Sequence, residues 1–216
     1  MYIMVVVLTA VIIWAVFLKI KSLPGEQAKN TYNRFEEKME FNQKEENAIS
    51  KLPDLPEIQK QGFRELVKIC LPEGYHKNLI ESINSLKDFS NDDYYMTSLN
   101  YFLEHLENTN IELLTALDWK EEIEELRLRV VFALDLNFDI DFDFVEAGLN
   151  SYPDSATISS KGVFLDYDKA LRKRGLQFGF IDTQSDEYVI FIHRIEDRLK
   201  AEEAVNKLAY KYHEAR

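Results

Sequence analysis

Residues 2 to 18 read YIMVVVLTAVIIWAVFL, an uncharged run with Thr9 as its one polar interruption. A spanning helix needs roughly 20 apolar residues, with a lower bound of about 17. Ile20 extends the run if Lys19 carries its ammonium out to the interface. Trp14 and Phe17 suit the interfacial end near Lys19 and Lys21. No basic stretch precedes the run, and no small-residue cleavage signal follows in Lys19-Ile20-Lys21-Ser22-Leu23-Pro24. The expectation is therefore an uncleaved membrane anchor over 1–21. Lys19, Lys21, Lys29, Arg34 and Lys38 all follow the run, so the positive-inside rule puts Met1 outside and the rest of the chain in the cytoplasm.

Residues 22–50 are rich in Lys, Glu, Asn and Gln, and Pro24-Gly25 ends the apolar helix. They read as a juxtamembrane linker. Pro53 and Pro56 then open a globular domain, 51–216, long enough to bury one core. The charge is unevenly placed. The domain holds 32 of the 38 acidic residues and 20 of the 26 basic ones, so it carries the whole net charge of −12. Such a surface repels phosphate backbones, which argues against nucleic acid, and attracts cationic proteins. Cys70 is the only cysteine, so no disulfide forms within the chain. Its apolar flank predicts a buried, inert thiol.

Apolar spacing predicts helices over 58–71, with Phe63, Leu66, Val67 and Cys70 inward, and over 77–86, with Leu79, Ile80, Ile83 and Leu86 inward. A third, capped by Asn91 or Asp92, would present Tyr95, Leu99, Phe102, Leu103 and Leu106. Asp118-Trp119-Lys120-Glu121 has the pattern of a capping box, opening a helix that buries Ile123, Leu126, Val130, Val131 and Leu134. A short helix over 166–174 stops at Gly175. Leu176–Ile181 and Tyr188–Ile192 read as strands joined by a turn at Thr183–Asp186, and 195–212 as a closing amphipathic helix. The fold class is α+β: a helix-rich domain with a small antiparallel sheet, preceded by one transmembrane helix.

Two local patterns could carry chemistry. Phe138-Asp139-Ile140-Asp141-Phe142-Asp143-Phe144 alternates strictly, so a strand there would line up three carboxylates on one face. Asp139, Asp141 and Asp143 are thus candidate ligands for a hard cation. The EF-hand pattern is not met, since Phe144 and Asn150 stand where its Gly and Glu belong. The alternative is a half-buried strand whose like charges discourage edge pairing. The turn places Asp182, Ser185 and Asp186 together as candidate interaction residues, although Asp and Ser also stabilise turns through their own backbone. His76, His105, His193 and His213 have no metal-ligand spacing, and no nucleophile elbow, Walker loop or dinucleotide fingerprint is present. No cofactor is expected.

Leu117-Asp118-Trp119-Lys120-Glu121-Glu122 and Ile181-Asp182-Thr183-Gln184-Ser185-Asp186-Glu187-Tyr188 resemble segments of a bacterial domain-of-unknown-function family, the one numbered 6630. The resemblance covers roughly the second half of the chain and implies a small α+β domain with no established activity. The residues themselves favour a non-enzymatic interaction module with an acidic binding surface, immunity-like or scaffolding, whose partners are the membrane through Tyr2–Leu18 and a cationic protein. The alternative is a metal-assisted hydrolase using Asp139, Asp141 and Asp143.

Overall fold

The computed structural model describes Asn33 and residues 48–90, 97–141, 149, 152–153 and 156–215. Tyr2–Leu18, Asn91, Asp92, Tyr95 and Asp143 therefore lie outside the described residues. Among the described residues no helix is long and apolar enough to cross a membrane. The chain divides into two compact units, Met1–Leu52 and Pro53–Arg216.

The elements of the second unit are α1 (Glu57–Cys70), α2 (Glu73–Asn84), α3 (Ser98–Thr109), β1 (Thr115–Asp118), α4 (Ile123–Phe138), α5 (Val163–Arg172), β2 (Leu176–Asp182), β3 (Glu187–Arg194), α6 (Arg198–Lys207) and β4 (Lys211–His213). This domain is α+β and helix-rich. Its strands form one antiparallel sheet in the order β1-β3-β2-β4.

The central strand β3 explains the architecture. Successive side chains of a strand point to opposite faces. Val189 and Phe191 enter one core with residues of α1, α2, α3 and α6, while Ile190 and Ile192 enter a second with residues of α4 and α5. The sheet is thus covered on both faces, which is why Tyr188–Ile192 reads as an unbroken apolar run. Gly179 stands opposite Phe191, whose ring lies where a glycine Cβ would be.

Four expectations need correction. Asp118 does not cap a helix: it ends β1, and its Oδ1 accepts the Lys120 amide at 2.8 Å in a local turn. The helix starts at Ile123, after Glu122 has bridged to Thr157. The third helix begins at Ser98, where the Thr97 hydroxyl accepts the Asn100 amide. The helix after β3 ends at Lys207, because Ala209 takes a left-handed conformation (φ 68°) and the chain returns as β4. Finally, Phe138 is the last residue of α4 and Asp139 its left-handed cap (φ 54°), so no strand begins there. The Ile140 amide bonds back to the Leu134 carbonyl at 3.1 Å, a helix-terminating loop that Asp tolerates.

Candidate functional site

Beside the β2–β3 hairpin lies a cleft of about 490 Å³. One wall is the hairpin turn. The Asp182 Oδ1 accepts the Gln184 amide at 3.1 Å, the Ser185 hydroxyl accepts the Glu187 amide at 3.3 Å, and the Thr183 and Ser185 hydroxyls are 2.8 Å apart. Gln184 is left-handed (φ 59°), which closes the turn. The other wall is the loop into α5, where the Ser160 hydroxyl accepts the Thr157 amide at 3.1 Å and Gly162 (φ 91°) lets the helix begin. Phe164, Phe180 and Tyr188 form the floor. The Phe164 ring meets the other two edge-on, with centroids at 5.1 and 4.9 Å.

β4 completes the site. Its His213 lies with Nε2 3.2 Å from the Asp182 Oδ2. This contact, with the Gln184 amide, holds the Asp182 carboxyl below the usual range. Glu214, also in the lining, accepts from Arg172 at 2.9 Å and Arg198 at 2.6 Å, which lower its pKa and tie the C-terminal segment to α5 and α6. Glu187 and Lys161 complete the charged lining. Carboxylates attract cations by Coulomb forces and ring faces also accept them, and the lining brings three carboxylates and three rings together beside Lys161 and His213.

Of the residues singled out in the sequence, Asp182 and Ser185 line this cleft, and Asp186 sits in the same turn outside the lining. Asp139 and Asp141 are exposed and elsewhere in the fold, so alternation no longer argues for a carboxylate face. Among the described residues, no three His, Cys, Asp or Glu side chains are gathered to hold a metal ion. Cys70 is buried in the first core, and burial pushes its thiol up, away from the reactive thiolate. His213 and Glu214 escape sequence reasoning because they lie at the end of a strand of three residues and just beyond it, too short a stretch to register as a pattern. The Ser159-Ser160-Lys161-Gly162 loop is the available sign of the second wall.

His193 is structural. It is fully buried, and its Nδ1 is 2.8 Å from the Arg194 carbonyl, which can only accept. The proton therefore sits on Nδ1, and Nε2 accepts from the Tyr212 hydroxyl at 2.9 Å. That hydroxyl in turn accepts from Gln177 at 3.1 Å. Burial lowers the His193 pKa below its ordinary value, and it does the same to half-buried His105. Unfolded histidine titrates near 6.5, so as pH falls through about 6.5 the unfolded chain takes up protons that the folded one refuses. Stability is then expected to fall from pH 7.5 to 5, before the lowered carboxylates Asp182 and Glu214 lose theirs in stronger acid. Urea midpoints across that range should drop for the parent and stay flatter for His193→Gln with His105→Gln. Equal slopes would refute the assignment.

No curated protein and no solved structure matches the chain. The family described as a domain of unknown function (DUF6630) matches residues 63–215. That span reaches further toward the N-terminus than the second half of the chain, taking in most of α1 together with both walls of the cleft. The chain thus belongs to the DUF6630 family.

Proposed function

We propose that this protein is a non-enzymatic interaction module, held at the cytoplasmic face of a bacterial inner membrane by Tyr2–Leu18, whose cleft receives a cationic side chain of a partner protein. The observation that carries the reading is the lining of the cleft: Asp182, Glu187 and Glu214 stand around the Phe164, Phe180 and Tyr188 rings. Glu214 is already neutralised by two arginines and Asp182 is partnered by His213. Glu187 is exposed and Asp182 half-buried, and they are the groups that would meet an incoming Lys or Arg. The net charge of −12 adds steering of a basic partner at low salt. An immunity-type protein that neutralises a basic toxin is one form of this function, and a membrane scaffold another.

The test uses the full chain in uncharged detergent and a fluorescein-labelled peptide of alternating Arg and Phe. Asp182→Asn combined with Glu187→Gln is expected to weaken binding about tenfold, close to 1.4 kcal/mol, and to flatten its salt dependence. Undiminished binding by that double variant would remove the cleft as the site. A fusion reporter at the C-terminus, active only on the periplasmic side, would overturn the orientation.

A further inference from the structure

α4 is apolar on two opposite sides. Leu126, Val130, Ala133 and Leu134 face the second core. On the other side Leu128, Phe132 and Leu136 are 42, 49 and 40% exposed. They are spaced four residues apart, so each lies within roughly 40° of the next around the helix and the three form one stripe. Large apolar side chains scattered singly need no explanation, but a continuous stripe on one helix face does.

The charges beside the stripe are unequal. On one flank lie Glu124, which Arg127 holds at 3.2 Å, and Asp135, both within roughly 80° of Phe132, with the cap Asp139 following at the helix end. Asp135 and Asp139 have no ion pair among the described residues. On the other flank Arg129 is already held by Glu125 at 2.7 Å and Glu112 at 3.0 Å. The last turn of α4 contains no basic residue, so the partial negative charge of the helix C-terminus adds to Asp135 and Asp139 instead of being offset. Arg194 stacks on Phe138 at 5.8 Å, roughly 120° round the helix from Phe132 and away from the stripe.

This pattern selects among occupants. A helix that lies on a membrane surface carries Lys and Arg beside its apolar face, since lipid headgroups are anionic, whereas this one carries carboxylates. A second copy packed antiparallel about a two-fold axis through Phe132 would lay the two acidic flanks along the same edge, where they repel. A partner helix with apolar residues at i, i+3/i+4 spacing and Lys or Arg on one flank satisfies both the stripe and the charge.

We propose that the Leu128–Phe132–Leu136 face of α4 docks an amphipathic helix of a partner protein whose apolar face is flanked by basic residues. None of these α4 residues lines the cleft, so this surface and the cleft can fail independently.

The probe is a fluorescein-labelled Leu/Lys amphipathic peptide of about five helical turns, read by anisotropy against the full chain in uncharged detergent. Its Leu/Glu counterpart is the control. The Leu/Lys peptide is expected to bind at least about tenfold tighter than the Leu/Glu peptide. Phe132→Ser and Leu128→Ser should each weaken it by about tenfold. Asp135→Asn with Asp139→Asn should flatten the salt dependence while leaving the melting curve unchanged, because Asn also accepts the left-handed cap position. Asp182→Asn should leave this binding as it is. The proposal is overturned if the stripe variants bind as the parent does, or if the Leu/Glu peptide binds as well. It is also overturned if Phe132→Ser instead abolishes a dimer in sedimentation, or abolishes adsorption to vesicles containing anionic lipid.

Discussion

Replacing Gly62 with Ala is expected to destabilise the domain by about 2 kcal/mol, against the usual sign of that change in a helix. Gly→Ala inside a helix ordinarily gains about 1 kcal/mol. At Gly62 an added Cβ would lie 2.6 Å from the Ala204 carbonyl oxygen and 2.8 Å from a methyl of Leu208. Leu208 can turn aside, but the Ala204 carbonyl belongs to the backbone of α6. α1 and α6 must separate, and overpacking of this kind costs about 1–3 kcal/mol, here at or beyond the upper end because backbone is the obstacle. Gly74, in the first turn of α2, has nothing within 4 Å of its would-be Cβ. Gly74→Ala should therefore stabilise by about 0.5 kcal/mol. Urea unfolding of the two variants side by side is the test, and two shifts of the same sign would defeat the steric explanation.

Asp168→Ala is expected to cost about 3 kcal/mol. Asp168 is buried at the start of the second half of α5, with Oδ1 accepting the Phe178 amide at 2.8 Å and Oδ2 the Arg172 Nε at 2.5 Å. β4 pairs with β2 only from Phe180 to Asp182, so it does not reach the Phe178 amide. Alanine would leave that buried donor without a partner, at about 1–3 kcal/mol, and remove a charge-assisted bond from Arg172 as well. Arg172 keeps Glu214, which bounds the loss on its side. Asp168→Asn retains an acceptor for the amide and should cost about 1 kcal/mol. Hydrogen exchange at Phe178 distinguishes the two: it should accelerate in the alanine variant and stay slow in the asparagine variant. Fast exchange in both would mean that the carboxylate serves Arg172 alone.

The helices are legible where their apolar spacing is regular. Phe63, Leu66, Val67 and Cys70 enter the first core, and so do Leu79 and Ile83. The β2–β3 hairpin is legible too, because Thr183–Asp186 supplies turn chemistry between two apolar runs. The errors come from patterns that two structures can satisfy. Asp118 is equally good at capping a helix or closing a turn on its own backbone. Asp139 continues an alternating pattern that stops at the end of a helix. The face of α4 is legible, since Leu126, Val130 and Leu134 enter the second core and Ile123 and Val131 pack against it.

The sequence by itself determined the apolar segment Tyr2–Leu18, the placement of all the net charge beyond residue 50, the helix-rich α+β class and the hairpin that carries Asp182 and Ser185. These are local properties, set by composition and by short-range periodicity. The tertiary structure alone decided that β3 is covered on both faces and that β4 brings His213 to Asp182. Each depends on residues far apart in the chain meeting in space. No spacing along the chain records that His213 lies 31 residues after its partner and 3.2 Å away from it.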